Sequence, residues 1–347
     1  MTKVSILIAA RNEADNILDC LRSVEALSYP KENLQILIGN DASEDNTGEL
    51  VQEFIKKKPH FQLITIQPWE GLKPSQGYSD VGQTQLKGKA NVLAKLAKSA
   101  TGDYLFFTDA DIEVPKDWIQ NMLPHFKVNV GIVTGITTMK TPPFPLSGRD
   151  FLAFMQAVEW LYYLSITRLF SLFNIPITAM GNSMAVTRTA YDAVGGYDNI
   201  PFSITEDYAL FRAILDKSFQ FVQLFDRRVL TISKPMPTYE QLLIQRKRWM
   251  YGAMSLPFGL RLGVYFNALT LPFLLLLGFF FPRITLSLTI LGYVSVTAWL
   301  AGVLNWLQCP QLFLATPFFW FYHLFTNFAM LIYYYGKKQT IWKGRKY

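Results

Sequence analysis

Two aspartates, two positions apart, close a short apolar segment. Asp109 and Asp111 follow the run Tyr104–Thr108, whose aromatic and apolar residues predict a buried strand. Two carboxylates at one strand end repel each other unless a cation lies beside them, and hard oxygen ligands select Mg²⁺ or Mn²⁺. Such an ion bridges the oxygens of a diphosphate and neutralises the charge of the diphosphate as that group leaves. A solvated acidic turn is the simpler explanation of this triplet, so the spacing alone leaves both open.

Short β-branched runs and helical patterns alternate up to these aspartates, which is typical of parallel strands joined by crossover helices. Strands are predicted over 4–10, 34–39, 61–66 and 104–108, and helices over 14–24, 45–56 and 89–100. Ligands of open parallel sheets lie beyond the carboxyl ends of the strands. Because Asp41 follows the second strand as Asp109 follows the fourth, we expect both at one edge. The segment 68–87, rich in Gly, Pro, Ser and Gln, predicts a long functional loop.

The composition points to a membrane rather than to an ordinary soluble enzyme. The 347 residues are 50% hydrophobic, and the net charge of +7 comes entirely from residues 259–347, which hold seven Lys and Arg and no Asp or Glu. This excess flanks apolar segments, so anionic lipid is a better partner for it than nucleic acid. Two cysteines exclude a disulfide scaffold, and three scattered histidines lack the spacing of zinc ligands. The N-terminus lacks a signal-peptide core, so we expect a cytosolic domain.

Apolar segments without charge dominate the C-terminal part. Residues 262–282 hold no charge, and residues 284–336 hold none apart from the neutral His323. At about 20 residues per crossing, they supply three segments, near 263–281, 285–305 and 312–335. Three full crossings would place the basic residues 337–347 opposite the N-terminal domain, against the positive-inside tendency. We therefore expect the first segment to be re-entrant or interfacial; a deeper 151–173 region or an exceptional tail are the alternatives.

The strongly apolar segment 151–173 is interrupted by Glu159 and Arg168. This pattern fits a helix lying in the membrane surface better than a membrane span. A buried core helix is the alternative.

Seven short motifs together carry a resemblance to a known family. The sequence resembles the family 2 glycosyltransferases, inverting nucleotide-sugar enzymes with a GT-A fold, over nearly all of residues 1–255. The motifs stand in family order: VSILIAARNE at 4–13, NDASEDNT at 40–47, GKANVLAKLAKSATGD at 88–103, FTDAD at 107–111, VGGYD at 194–198, TED at 205–207 and QRKRW at 245–249. The last matches the QxxRW signature of membrane-bound relatives such as cellulose, hyaluronan and ceramide glycosyl synthases.

The resemblance implies an α/β fold and three regions. Residues 1–255 match a cytosol-facing GT-A domain with a mixed, mainly parallel sheet. Residues 256–336 would form a membrane domain of about three apolar C-terminal transmembrane helices, and 337–347 a basic tail.

The resemblance also implies a nucleotide site. Asp41 matches the aspartate that recognises the base, accepting from uracil N3–H, although it could instead cap the following helix. Lys89 matches a lysine near the nucleotide, with a solvated charge at a helix start as the alternative. Asp109 matches the residue beside the ribose and phosphates, and Asp111 matches the ligand of the Mg²⁺ or Mn²⁺ ion. Asn40 replaces an aspartate usual in relatives.

The remaining matches are catalytic. Glu206 and Asp207 match the catalytic TED motif, and Asp207 is our candidate for the general base; starting a helix is their alternative role. Gln245, Arg248 and Trp249 match QxxRW: Arg248 would clamp the diphosphate and Trp249 would support the acceptor. A basic, aromatic belt beside the membrane is the alternative.

These residues together predict a metal-dependent, membrane-bound inverting hexosyltransferase. Its donor would be a nucleotide-diphosphate sugar, in particular a UDP-sugar, and its acceptor a lipid or lipid-linked molecule, giving a glycolipid product. A polymer-exporting synthase needs a polar tunnel, which apolar segments without internal charge line poorly. A polysaccharide or polyprenyl-phosphate sugar synthase is the nearest alternative, and a non-catalytic nucleotide-binding membrane scaffold is the alternative from another class.

Overall fold

The computed structural model describes residues 2–66, 88–145 and 147–336, and the backbone of 341–342 and 345–346. The predicted loop at 68–87 falls on 67–87, outside the described residues. The strands are β1 Val4–Ala10, β2 Leu34–Asp41, β3 Phe61–Ile66, β4 Tyr104–Asp109, β5 Ile112–Glu113, β6 Val130–Thr134, β7 Ile136–Met139, β8 Met184–Thr187, β9 Gln220–Gln223, β10 Leu230–Ser233, β11 Ile341–Trp342 and β12 Arg345–Lys346. The α-helices are α1 Ile17–Glu25, α2 Thr47–Ile55, α3 Gly88–Ser99, α4 Trp118–Met122, α5 Gly148–Leu172, α6 Arg188–Ala193, α7 Glu206–Asp216, α8 Tyr239–Met254, α9 Phe258–Phe280, α10 Pro282–Trp306 and α11 Thr316–Gly336.

The contacts divide the chain into two compact units, each made of separate stretches. The first unit comprises 1–136, 178–224 and 228–231, and the second comprises 137–177, 225–227 and 232–347. The predicted regions, in contrast, are continuous ranges.

The main sheet of the first unit is mixed and mainly parallel, as predicted. Its strand order is β3-β2-β1-β4-β8-β6-β9. Strands β3, β2, β1 and β4 are parallel, whereas β8 runs antiparallel to both of its neighbours, β4 and β6. In the register, Leu7 of β1 lies between Leu37 of β2 and Phe107 of β4. A smaller sheet has the order β5-β10-β7, and β11 pairs with β12.

Both faces of the main sheet are covered, which is why its central strands are apolar along their whole length. Successive side chains of a strand point to opposite faces. Ile6 and Ile8 accordingly pack in one buried cluster with Trp118 of α4, whereas Leu7 packs in a second cluster with Leu93 of α3 and others. Burial on both faces therefore holds the central strands within the core of the first unit.

The observed strand ends place two predicted site residues inside strands. Strands β1 and β3 have the predicted bounds, but β2 and β4 continue to Asp41 and Asp109. The helix predicted from residue 14 begins only at Ile17, because the preceding residues form a turn in which Asn16 N–H donates to Glu13 O at 2.9 Å. Both aspartates thus take their backbone position from the sheet.

The second unit is helical. Helix α11 packs against α5, α8, α9 and α10. Among the described residues, α9 and α10 are the two helices long and apolar enough to cross a membrane. Their large apolar side chains are widely exposed, for example Phe266 and Phe279 at 75% and 82%. Two apolar C-terminal helices therefore qualify as membrane spans, and the third predicted segment forms helix α11, which is not one of these two.

Helix α5 covers the segment 151–173, where we expected a helix in the membrane surface or a buried core helix. Its N-terminus is capped by Ser147, whose hydroxyl accepts from Asp150 N–H at 3.2 Å. Residues 153–161 are buried, which agrees with the alternative of a buried core helix. Leu172 and Phe173, at the C-terminal end of the helix, are in contrast 60% and 70% exposed. The helix is therefore a core helix of the second unit along its first half.

Candidate active site

Four of the predicted site residues meet in the first unit. Asp109 is the last residue of β4, Lys89 lies in the first turn of α3, and Glu206 and Asp207 open α7. The carboxyl end of a central parallel strand and the start of two helices converge there, which is the edge where α/β sheets bind ligands. The positive end of the α7 dipole favours negative charge on Glu206 and Asp207.

Lys89 joins two of these carboxylates. Its Nζ lies 2.5 Å from Asp109 Oδ1 and 2.8 Å from Glu206 Oε1, and its side chain is 30% exposed. Burial disfavours the ammonium, but the charges of Asp109, Glu206 and Asp207 outweigh it and raise the pKa of Lys89. The lysine is therefore protonated at neutral pH and fixes Glu206 relative to β4.

Asp207 is held by backbone donors on both carboxylate oxygens. Gly181 N–H donates to Oδ2 and Tyr208 N–H donates to Oδ1, each at 2.8 Å. Burial, followed by repulsion from Glu206, raises the pKa of Asp207 to about 6, while Lys89 and the two backbone donors oppose this rise. A carboxylate with this pKa is ionised at neutral pH and is more basic than an exposed aspartate.

Gly181 is a site residue for which sequence reasoning found no role. A Cβ at this position would lie 2.8 Å from Asp207 Cβ and 2.9 Å from Asp207 Oδ2, so a side chain there would displace the carboxylate. The segment is fixed by two further contacts: Thr108 Oγ1 donates to Asn182 O at 3.1 Å, and Trp118 Nε1 donates to Ser183 Oγ at 3.2 Å. No local pattern in the Gly181-Asn182-Ser183 triplet indicates its contact with Asp207, which lies 26 positions further along the chain.

Tyr197 is a second residue near the site for which the sequence indicated no role. Its side chain is 2% exposed and its ring packs edge-on against Phe107 at 6.3 Å. Burial, then the charges of Glu206 and other nearby groups, raise its pKa well above the usual value. The preceding Gly195 and Gly196 have φ of +74° and +62°, a backbone conformation that glycine adopts readily, and they form a tight turn before Tyr197.

Asp41, at the end of β2, is 8% exposed. Arg11, another residue that the sequence did not single out, supports this strand end: its Nη1 donates to Asp41 O at 2.7 Å and to Ala42 O at 3.3 Å. Asp45 serves the start of α2, since its carboxylate accepts from Thr47 N–H at 3.0 Å. The nucleotide-binding and capping roles considered for Asp41 both stay predictions.

Asp109 and Asp111 fit a divalent ion only in part. Burial raises the pKa of the Cys20 thiol, and the charges of Asp111 and Asp109 raise it further, so both carboxylates lie near the same buried side chain. Among the described residues, no group of three or more His, Cys, Asp or Glu side chains could hold a metal. Two carboxylates suffice for Mg²⁺ or Mn²⁺ when a diphosphate and water supply the other ligands. The donor set therefore suits an ion that arrives with its substrate.

The QxxRW residues lie on α8, in the second unit. Gln245 is buried and Arg248 and Trp249 are partly buried. The Trp249 ring packs edge-on against Trp160 of α5 at 5.0 Å, and the guanidinium of Arg246 lies 4.2 Å from its centroid. The roles at the diphosphate and the acceptor that we expect of Gln245, Arg248 and Trp249 stay predictions.

Comparison with known proteins decides the family. The model of "Glycosyl transferase family 2" matches residues 5–195, and that of "Glycosyl transferase family group 2" matches residues 104–335. The chain belongs to glycosyl transferase family 2. The predicted enzyme class, a glycosyltransferase, is thereby confirmed.

Curated relatives of this family 2 chain include two bacterial proteins. It is 29% identical over 252 residues to the poly-beta-1,6-N-acetyl-D-glucosamine synthase of Staphylococcus epidermidis. The aligned region covers 72% of this chain and 54% of the relative. It is 27% identical over 259 residues to the probable glycosyltransferase YdaM of Bacillus subtilis, covering 73% and 55%. The chain thus spans about half the length of these relatives.

A solved structure supports the GT-A fold of this family 2 chain. The mannosyltransferase PcManGT from Pyrobaculum calidifontis, in complex with GDP-Man and Mn²⁺, superposes with a TM-score of 0.54 at 18% identity, covering 91% of this chain and 86% of that one. The predicted fold is confirmed by this likeness and by the family match.

Proposed function

We propose that the protein transfers a sugar, with inversion, from a nucleotide-diphosphate donor to a lipid or lipid-linked acceptor at a membrane, and that Asp207 is the general base. The observation that carries this proposal is the Asp207 carboxylate, held by Gly181 and Tyr208 N–H and raised in pKa to about 6. It lies beside a lysine that pairs with Asp109 and Glu206.

The proposed reaction is a single displacement. The acceptor hydroxyl oxygen forms a bond to the anomeric carbon while the bond from that carbon to the diphosphate oxygen breaks. Asp207 takes the hydroxyl proton, and the nucleoside diphosphate leaves with the bonding electrons. A base with a pKa near the working pH both stays ionised and accepts the proton readily.

The other site residues hold the donor in this proposal. Asp41 accepts from uracil N3–H, and its burial at the end of β2 favours a fixed hydrogen bond. Lys89 carries a fixed positive charge next to Asp109, where the diphosphate would lie. Asp111 with Asp109 would hold a Mg²⁺ or Mn²⁺ ion, which when bound neutralises charge on the diphosphate.

The membrane part rests on α9 and α10. Both helices are long and apolar enough to cross a bilayer, and residues along both leave large apolar side chains exposed. A protein surface of this kind is stable in lipid rather than in water. These helices support a location in a membrane, and we propose that the catalytic residues face the cytosol, as the sequence predicts for the N-terminal domain.

A second candidate, a polysaccharide synthase, is favoured by the similarity to the poly-beta-1,6-N-acetyl-D-glucosamine synthase. The two candidates share the donor chemistry and the role of Asp207. They differ in the product, since a synthase extends its own product and a lipid glycosyltransferase stops after a defined step.

The test is a donor panel on the purified full chain in lipid vesicles. UDP-glucose, UDP-galactose, UDP-N-acetylglucosamine and GDP-mannose are each supplied with Mg²⁺ or Mn²⁺, and products are read by mass spectrometry. We expect a singly glycosylated lipid from a UDP-sugar and loss of activity in EDTA. A ladder of polymer supports the second candidate. Failure of every donor to give product or free nucleotide, with nucleotide binding retained, would identify a non-catalytic binding protein.

A further inference from the structure

The helix that carries Gln245, Arg248 and Trp249 also forms a buried ion pair through Arg246, a position that the QxxRW signature leaves unspecified. Arg246 Nη2 of α8 lies 2.8 Å from Glu159 Oε2 of α5, and the two side chains are only 10% and 6% exposed. Tyr322 of α11 donates its hydroxyl to the same Oε2 at 3.1 Å. One carboxylate oxygen therefore joins three helices of the second unit.

The same arginine also contacts Trp249. Residues 246 and 249 stand three positions apart and thus share a face of α8. The Arg246 guanidinium lies 4.2 Å from the Trp249 ring centroid, a distance at which cation and ring attract each other. Trp160, next to Glu159 on α5, packs edge-on against the Trp249 ring at 5.0 Å and 80°. The Trp249 indole thus contacts both a cation and a second indole, and the same guanidinium lies 5.9 Å from the Trp160 centroid.

We propose that Glu159 and Arg246 are positioning residues that hold Trp249 in the orientation in which it supports the acceptor. The proposal deepens the proposed function and rests on it, together with the acceptor role that the family resemblance implies for Trp249. A buried guanidinium stays in place only while its charge is balanced. Without the Glu159 carboxylate, Arg246 would turn towards solvent and release the Trp249 ring.

Activity measurements test the effect on the acceptor. The variants are Glu159→Gln and Tyr322→Phe, with dioleoylglycerol or undecaprenyl phosphate in phosphatidylglycerol vesicles as acceptor probes. The control is Tyr265→Phe, which removes a 2.6 Å hydroxyl contact between α9 and Tyr335 of α11, away from the Glu159–Arg246 pair. We expect Glu159→Gln to raise the acceptor KM about tenfold or more, with donor binding and kcat at saturating acceptor within about twofold, and Tyr265→Phe to leave KM unchanged.

A double-mutant cycle separates positioning from general loss of packing. In a Trp249→Phe background, Glu159→Gln should have little further effect on the acceptor KM, because both changes remove the same fixed ring. Equal effects of Glu159→Gln in both backgrounds would overturn the proposal, as would an acceptor KM that Glu159→Gln leaves unchanged.

A second readout needs no activity. Two indoles at 5.0 Å and 80° give an exciton couplet in circular dichroism, which the Trp249→Phe spectrum assigns. We expect Glu159→Gln to weaken this couplet and Glu159→Asp and Tyr265→Phe to retain it. An unchanged couplet in Glu159→Gln would contradict the proposal even if no acceptor probe is glycosylated, whereas absence of transfer by the unaltered protein would count against the proposed function alone. If Glu159→Gln does not fold, Tyr322→Phe takes its place in both measurements.

Discussion

The carboxylate of Asp207 is under two opposing influences. Burial and the neighbouring Glu206 raise its pKa to about 6, whereas Lys89 and the N–H groups of Gly181 and Tyr208 stabilise its charge. If Asp207 is the base, it must be ionised in the free enzyme. We expect kcat/KM to rise with pH through about 6 and to level off above it. Initial rates between pH 5 and pH 8 measure this, and a profile that is flat across this interval would contradict the role of Asp207.

Gly181 gives the most local test of how Asp207 is positioned. In Gly181→Ala the new methyl group would lie 2.8 Å from Asp207 Cβ, so the carboxylate must move. A displaced catalytic group reduces turnover, and we expect roughly a 10²-fold loss of kcat with donor binding retained. Gly148→Ala is the matched control, because a Cβ at Gly148 meets nothing within 4 Å. Equal activity of the two variants would show that the Gly181 contact is irrelevant to turnover.

At the scale of the element, α3 matters because it carries Lys89. Its C-terminal end is fixed by Arg188, which donates through Nη1 to Ala97 O at 3.1 Å, through Nη2 to Ala100 O at 2.8 Å and through Nε to Gly102 O at 3.4 Å. Arg188→Met leaves these carbonyls without their donor. We expect it to lower the free energy of unfolding by roughly 2 kcal/mol and to lower kcat moderately.

The control for Arg188 is Arg212→Met, which removes an exposed contact to Asp216 at 3.5 Å on α7. Exposed pairs contribute less than about 1 kcal/mol, so we expect almost no change. Thermal midpoints in detergent measure both variants. An equal shift of the thermal midpoint in Arg188→Met and Arg212→Met would mean that Arg188 does not hold α3 in place.

The strands of the first unit were largely predictable, because burial on both faces makes β1 to β4 apolar along their length. The ends of the strands were harder to predict, because hydrogen bonding to neighbouring strands, not side-chain type, decides where a strand stops. Strands β2 and β4 accordingly extend through Asp41 and Asp109. The pairing of Lys89 with Asp109 and Glu206 joins residues 20 and 117 positions apart in the sequence. No local pattern encodes such a contact, and the same holds for Gly181 and Asp207.

At the scale of the whole chain, the helices of the second unit determine the number of membrane crossings. Helix α11 packs against α9 and α10 and also against α5 and α8, where Tyr322 contacts Glu159 and Tyr334 packs against Tyr251 at 5.4 Å. The charged side chain of Glu159 would be costly in hydrocarbon. The sequence alone favours the first apolar segment as the one that does not cross, whereas length and hydropathy favour α9 and α10 as the crossing helices.

We therefore expect α9 and α10 to cross as a hairpin, which keeps the basic residues 337–347 on the side where α9 begins, in agreement with the positive-inside tendency. Single cysteines at Ser255, Phe281 and Gly336, in a background in which Cys20 and Cys309 are replaced by serine, test this with a membrane-impermeant thiol reagent. Ser255→Cys and Gly336→Cys should react from the same side and Phe281→Cys from the other. Reaction of Gly336→Cys from the side of Phe281→Cys would establish three crossings.

Whether Asp207 acts as the base is tested most directly by transfer in Asp207→Asn, measured in a single turnover with donor affinity determined on the same sample. General base catalysis typically contributes about 10²- to 10⁴-fold. We predict a loss of the transfer rate in this range, with the dissociation constant for the donor within about threefold of that of the unaltered enzyme. A transfer rate of Asp207→Asn within threefold of that of the unaltered enzyme, at equal donor occupancy, would contradict the assignment of Asp207 as the general base.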